Sequence, residues 1–330
     1  MDPPKPFPIL RLPFLAIEEV FKTMHPNEII NFSMITKRTK GIAKQMSFYS
    51  IYSIDLYIRN TPEIRIDGGT KDVVSYVMTS NIEMEGEILE IDGLVRMIFK
   101  YSKDPVNEWK LLIKYVLEIF KKQSIGVLKM SMNTFVGQNV SIIDFLKANV
   151  KSVDECGLYQ WDKEIDVDNH TAFLLDNITI ISELNLYLCN NNDDFNAKIP
   201  KNLEKLYVES SQWIGYEKLL DIDCKRVILE KNLILDEQWY LFIKKWIAME
   251  TNQNLEYLEL DYRDFEEFRH QVLHDIPHEV VDGGVKRTFK TRNETEEMSG
   301  GIDIRRIDGK TATFFVHREF EVKYFGMSVH

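Results

Sequence analysis

The short phrase "HQVLH" puts His270 and His274 one helical turn apart, with His278 four residues further on. Two imidazoles at i and i+4 are metal-ligand spacing on a helix. Pro277 interrupts the helix before His278, and no glutamate follows the first histidine as a zinc protease would need. A solvated helix face is the better reading, and no metal ligands are assigned. "DGKT" from Asp308 matches the end of a phosphate loop. The glycine such a loop requires would stand at position 304, which is Ile304, and the flanks read strand-turn-strand. There is no G-x-S-x-G nucleophile elbow. Cys156, Cys189 and Cys224 are few, odd in number and far apart, so they read as reduced thiols in small apolar niches. No cofactor is implied. The scattered Asp and Glu residues leave room for a non-local catalytic pair, and an unrecognised hydrolase is kept as the last of three readings.

The elements that would carry any chemistry come from patterning. The chain has 330 residues, 44% hydrophobic and 28% charged, which is ordinary globular composition. Its net charge is −11. Residues 1–50 hold seven Lys/Arg against four Asp/Glu, a net of +3, which leaves −14 on the rest. An acidic body is a poor match for a phosphate-backbone binder, so nucleic acid is not expected. No run approaches the ~18 apolar residues of a membrane helix, and the proline-rich start lacks the features of a secretory leader. The expected location is cytoplasmic or nuclear.

Residues 1–50 read as three short helices. Pro13 suits a first helical turn, and Phe14, Ile17, Val20, Phe21 and Met24 follow at helical spacing. His25-Pro26 breaks this helix, and Pro26 opens a second one with Ile29, Ile30 and Phe32. A third begins near Thr36, with Lys37, Arg38, Lys40 and Lys44 outward as a solvated face. So short a segment makes a poor core of its own and needs a partner.

From about residue 126 a strand-like phrase recurs. Leu128, Val153, Leu184, Leu206, Val227 and Leu258 are equivalent positions, at steps of 25, 31, 22, 21 and 31 residues, with helical sequence in the gaps. That period matches a leucine-rich repeat of ~20–29 residues in its shorter steps. The expected fold is α/β: a three-helix N-terminal segment, then an irregular leucine-rich-repeat-like solenoid of strands and helices, closed by a C-terminal β hairpin cap. Residues 51–125 read as connecting strands and a helix, the first solenoid layer. Residues 126–262 form the body. Residues 263–330 read as a helix, a flexible polar loop around "KTRNETEEMSGG" from Lys290, and the β cap, whose Asp308-Gly309 is a two-residue hairpin signal. Asp236 is read as the N-cap of the last body helix.

Two stretches resemble known families. "LRLPFLAIEEVFKTMHPNEIINFSMITKRTK", with Leu12-Pro13, Ile17, Val20-Phe21, Glu28-Ile29 and Lys37-Arg38, resembles an F-box over about Phe7–Ser47. The resemblance implies docking on a Skp-type adaptor and, through it, a cullin. It assigns adaptor binding to Leu12, Pro13, Ile17, Val20, Phe21, Ile29 and Ile30. Residues 199–262, with Trp213, Leu219-Leu220, Cys224-Lys225-Arg226, Phe242, Lys244, Trp246 and Leu255-Glu256, resemble the nematode F-box-associated domain of the second type. "NLILDEQ" stands where that family has a Ser-x-Leu-Thr-Asn phrase, so this cap has diverged. Together they imply a non-catalytic substrate receptor of a ubiquitin ligase. A repeat scaffold without a ubiquitin link is the second reading.

The target of such a receptor is unknown. If the leucines and valines of each phrase point inward, their neighbours point out by the period-2 rule. This assigns target binding to Tyr187, Lys205, Tyr207, Glu209, Glu230, Tyr257 and Glu259. Acidic positions outnumber basic ones in that set, so a protein with a basic segment is the expected partner.

Overall fold

The computed structural model describes residues 9–69, 73–189, 195–292, 295–319 and 322–330. Phe7, where the F-box resemblance begins, lies outside them. The described residues form two compact units: the first draws on those within 9–130 and 137–154, the second on those within 131–136 and 155–330.

The first unit opens with helices α1 (Phe14–Lys22), α2 (Pro26–Ile35) and α3 (Lys37–Ala43). Strands β1 (Ser53–Ile58), β2 (Glu63–Asp67), β3 (Val73–Thr79), β4 (Ile88–Ile91) and β5 (Val95–Tyr101) follow, then α4 (Pro105–Ile119), β6 (Ser124–Ser131) and α5 (Asn139–Asn149). Strand order is β6-β1-β2-β3-β5-β4. β1, β2 and β3 run antiparallel, whereas β6 joins β1 and β5 joins β3 in parallel. Residues 51–125 therefore form a mixed sheet and a helix, not one further copy of a repeated unit. The turn at Gly93, at φ 64°, lets β5 return antiparallel to β4, a connection that a βα repeat lacks.

α4 holds this unit together. Asp104 caps it by accepting the Asn107 N–H at 3.1 Å, and Pro105 occupies its first turn. Val106, Trp109, Leu112, Ile113, Val116 and Leu117 form its buried stripe. The Trp109 indole N–H donates to the Glu63 carbonyl at 3.1 Å, which fastens the helix to β2.

The second unit contains β7 (Ser152–Tyr159), α6 (Asp168–Asn177), β8 (Ile180–Tyr187), β9 (Leu203–Val208), α7 (Tyr216–Asp221), β10 (Cys224–Leu229), α8 (Asp236–Ile247), β11 (Tyr257–Asp261) and α9 (Phe265–Gln271). β7 lies beside β8, and β8, β9, β10 and β11 pair in parallel, in chain order. Leu184, Leu186, Leu206, Val208, Val227, Leu229, Leu258 and Leu260 are all buried. Asn232 and Asn252 close the loops, the first on the carbonyls of Ser211 and Ile214, the second on those of Leu219 and Ile222. Asp236 is the first residue of α8 and not its cap. Its carboxylate is drawn into an ion pair with Arg263, and the Gln238 side chain accepts the Leu235 N–H instead.

The C-terminal end is larger than a hairpin. β12 (His278–Lys290), β13 (Thr295–Arg305), β14 (Thr311–Glu319) and β15 (Val322–Val329) are consecutive antiparallel strands, and β15 pairs antiparallel with β11. Most of the polar stretch from Lys290 is thus strand and not a flexible loop. Its composition is loop-like, but Met298 packs on the buried cluster of Ile228, Tyr257, Phe289 and Phe315. The turn at Asp308-Gly309 is also wider than two residues. Arg306 and Lys310 close it, and Gly309 takes φ 94°, where a Cβ would be strained.

Candidate functional site

The N-terminal helices are fixed from below. Phe21 packs edge-on against Phe32 with ring centres 5.1 Å apart. The Ser33 hydroxyl lies 2.9 Å from the Tyr115 hydroxyl of α4. Lys40 and Lys44 both donate to Glu118, at 2.8 and 3.1 Å, and hold its carboxyl below the ordinary range. These basic residues thus serve α4 as well as the solvent. Glu18 accepts the Ser47 hydroxyl and N–H at 2.6 and 2.8 Å, which lowers its pKa and ties the end of the segment back to α1.

This packing divides the seven residues assigned to the adaptor. Ile17, Phe21, Ile29 and Ile30 are buried within the unit, so they anchor the helices and do not offer a surface. Pro13 is exposed, and Leu12 and Val20 are half-buried. The apolar surface consists of other residues: Leu15 is 75% exposed, Ile35 68%, Met34 49% and Phe14 41%. A sequence signal for them existed. Leu15 and Ile35 fall off the inward stripes of α1 and α2, and an apolar residue off the stripe has no intramolecular reason to be apolar.

In the second unit the outward positions of the strands behave in two ways. At β10 and β11 they are covered: Ile228 and Tyr257 are in the aromatic cluster with Phe289 and Phe315, and Glu259 is 1% exposed. Tyr257 and Glu259 are therefore not on the surface that the period-2 rule assigned them to. The rule gives the direction of a side chain but not what later strands lay over it. Glu259 accepts from Arg292 Nε at 3.0 Å, takes the Tyr257 hydroxyl, and stands 3.5 Å from His317. Arg292 also reaches Glu230 at 2.9 Å, and its guanidinium lies 4.3 Å from the Tyr324 ring centre and 6.0 Å from that of Tyr207. Burial works against its charge, but the Glu259 hydrogen bond and the two carboxylates outweigh this and raise its pKa.

At β7, β8 and β9 the same face is only half-covered. Tyr187, Lys205, Tyr207 and Glu209 are half-buried, as is Glu230. Tyr159 stacks on Tyr187 at 4.9 Å and 6°, and Tyr187 leans on Tyr207 at 4.9 Å. Trp161, which is 75% exposed, stacks on Tyr159 at 5.9 Å and 11°. Tyr159 and Trp161 had no place among the sequence-derived candidates. Burial, then the Glu230 carboxylate, pushes the Tyr207 phenol well up.

The remaining chemistry is dispersed. His270 is on α9 near Glu266, His274 stacks on Tyr240 at 5.2 Å, and the His278 ring bonds the Ile276 carbonyl. Among the described residues no three of His, Cys, Asp and Glu gather to hold a metal ion. All three cysteines are free, and burial pushes the Cys156 and Cys224 thiols up to about 12. A cleft lined by Asp236, Asp261, Arg263, Asp264 and Glu267 is acidic, but Asp236 is paired to Arg263 and Asp264 caps α9 through the N–H groups of Glu266 and Glu267. Among the described residues no helix is long and apolar enough to cross a membrane.

Comparison with known proteins adds two matched segments. Residues 9–51 match the F-box domain model, and residues 194–260 match the model described as F-box associated. The chain is 21% identical to the Skn-1 dependent zygotic transcript 15 protein of Caenorhabditis elegans, over 93% of each chain. It is also 21% identical to the E3 ubiquitin-protein ligase hecw-1 of the same organism, over 87% of this chain but only 25% of that one. No solved structure matches. The chain therefore carries a segment that matches an F-box domain, followed by one that matches an F-box-associated domain.

Proposed function

We propose that the chain is the substrate-recognition subunit of a Skp–cullin–F-box ubiquitin ligase. The F-box would bind the adaptor, and the second unit would hold a target protein. The work is positional: it raises the local concentration of target near a ubiquitin-charged enzyme, and the chain forms no covalent intermediate. One observation carries this reading. The segment matching an F-box buries Ile17, Phe21, Ile29 and Ile30 within its unit and still leaves Phe14, Leu15, Met34 and Ile35 exposed. Such apolar residues are what an adaptor groove would cover, at ~25 cal/mol per Å² of apolar surface removed from water. The parallel, chain-ordered strands β8 to β11 favour a leucine-rich-repeat-like body, whose half-covered face would meet the target. The complex would act in the cytoplasm or nucleus.

The test is copurification of the full chain with a Skp-type adaptor. Leu15→Asp combined with Ile35→Asp should abolish it, since two charges would be buried unpaired, while the melting temperature stays at the wild-type value. Adaptor recovery undiminished in that variant removes the assignment. Wild-type protein that captures no adaptor leaves the repeat scaffold as the better reading.

A further inference from the structure

Four aromatic rings continue one another across the outer face of β7, β8 and β9: Trp161, Tyr159, Tyr187 and Tyr207. At the Tyr207 end the row meets a cation of the chain itself. The Arg292 guanidinium sits over Tyr207 and Tyr324 and is neutralised by Glu230 and Glu259. At the other end Trp161 is 75% exposed. Within the row the ring faces are taken up by one another, so the face open to a ligand is that of Trp161. An exposed indole face favours flat groups that stack on it, and it favours cations because ring faces are negative.

The rim of this face adds charge. The C-terminal ends of these strands are aligned: Gln160 donates to the Tyr187 carbonyl, Glu209 to Leu186 and Glu230 to Val208. Just beyond those ends, next to Trp161 in the chain, stand Asp162, Glu164 and Asp166 against Lys163, whereas Glu209 is bonded to Lys231 and Glu230 to Arg292. Three carboxylates against one ammonium group beside Trp161 repel a phosphorylated or acidic segment and attract a basic one.

We propose that Trp161, at the open end of this row of rings, is the recognition site for an arginine side chain presented by a basic, extended segment of the target protein. The inference rests on the reading of the second unit as the part that captures targets. Arginine is favoured over lysine on physical grounds. Its guanidinium is planar, is weakly hydrated, stacks on aromatic faces and leaves its N–H edge free for a carboxylate. Arg292 already makes that combination of contacts at the other end of the row, over Tyr207 and bonded to Glu230.

The full chain allows a direct test. Of its five tryptophans, Trp109, Trp213, Trp239 and Trp246 are at most 6% exposed, so acrylamide quenching reports on Trp161. The probes are a labelled alternating arginine–glycine peptide and its lysine–glycine and proline–glycine counterparts. The arginine peptide should shield Trp161 from acrylamide. By anisotropy it should bind about tenfold tighter than the lysine peptide, equivalent to about 1.4 kcal/mol. Tyr187→Phe should keep that preference, and Trp161→Ala, which removes only an exposed ring, should reduce it. Equal binding of arginine and lysine peptides would mean simple charge attraction and overturn the proposal. So would tighter binding of the proline peptide, or a preference unaltered in Trp161→Ala. Adaptor copurification is read separately. Retained adaptor without arginine preference sinks this inference alone, and arginine preference without adaptor sinks only the ligase reading.

Discussion

Glu259 shows what a single residue can hide. By alternation it faces away from the leucines of β11, and as a charged outward residue it reads as a contact for a partner. In the folded chain it is 1% exposed and holds Arg292, the Tyr257 hydroxyl and His317 around it. A carboxylate so far from water is stable only because a cation is brought to it. Glu259→Ala should therefore leave the Arg292 charge short of its main partner and cost about 3–5 kcal/mol, read from urea unfolding. The paired change Glu259→Met with Arg292→Met should recover most of that loss, because an apolar pair of similar volume avoids the desolvation cost altogether. A double variant as unstable as the single one would show that the ion pair is not what stabilises the site. The sequence could not disclose the partner, since Arg292 lies 33 residues downstream. It disclosed the inward residues fully, because alternation is local and the next strand's pairing is not.

At the scale of elements, the strand phrases and most helices were legible from periodicity and capping chemistry alone. The failures share one cause. The polar run after Lys290, the turn at Asp308 and the number of C-terminal strands all depend on pairing with distant segments, which composition does not encode. The Asp308 turn also has a pH signature. Hydrogen bonds from Arg306, which is 2% exposed and lies 5.1 Å from the Trp246 ring centre, hold the Asp308 carboxyl down to about 2. The ordinary value is 3.8, so folding favours the ionised form. Its stabilising effect is complete above the unfolded value and is lost as pH falls through the folded one. The melting temperature of the wild type should thus decline between about pH 4 and pH 2 by more than that of Asp308→Asn, which has no carboxyl to protonate there. Parallel declines in the two proteins would count against the Arg306–Asp308 contact as a stabilising one.

For the whole molecule, the charge map and the two surfaces imply that the two proposed binding events differ in their physics. The first 50 residues carry a net +3 and the remainder −14. The large apolar side chains exposed on the F-box segment, Phe14, Leu15, Met34 and Ile35, contribute apolar area and no charge of their own. The rings of the second unit are rimmed by carboxylates. Screening acts on the second kind of surface and hardly on the first. The Debye length falls from ~30 Å at 0.01 M salt to ~8 Å at 0.15 M, so attraction reaching beyond contact is removed over that range. Raising salt between those limits should slow association of the arginine–glycine peptide by about tenfold or more, while adaptor association changes less than about twofold. Reversing Glu209 to Lys should flatten the salt dependence of the peptide and leave the adaptor's untouched; Glu209 is half-buried at the strand ends and bonded to Lys231 only at 3.4 Å, so its loss spares the core. Stopped-flow traces at both salts decide the matter. If both partners slow together, charge steers the adaptor as well, and the division of labour between an apolar docking surface and an electrostatic target face is wrong.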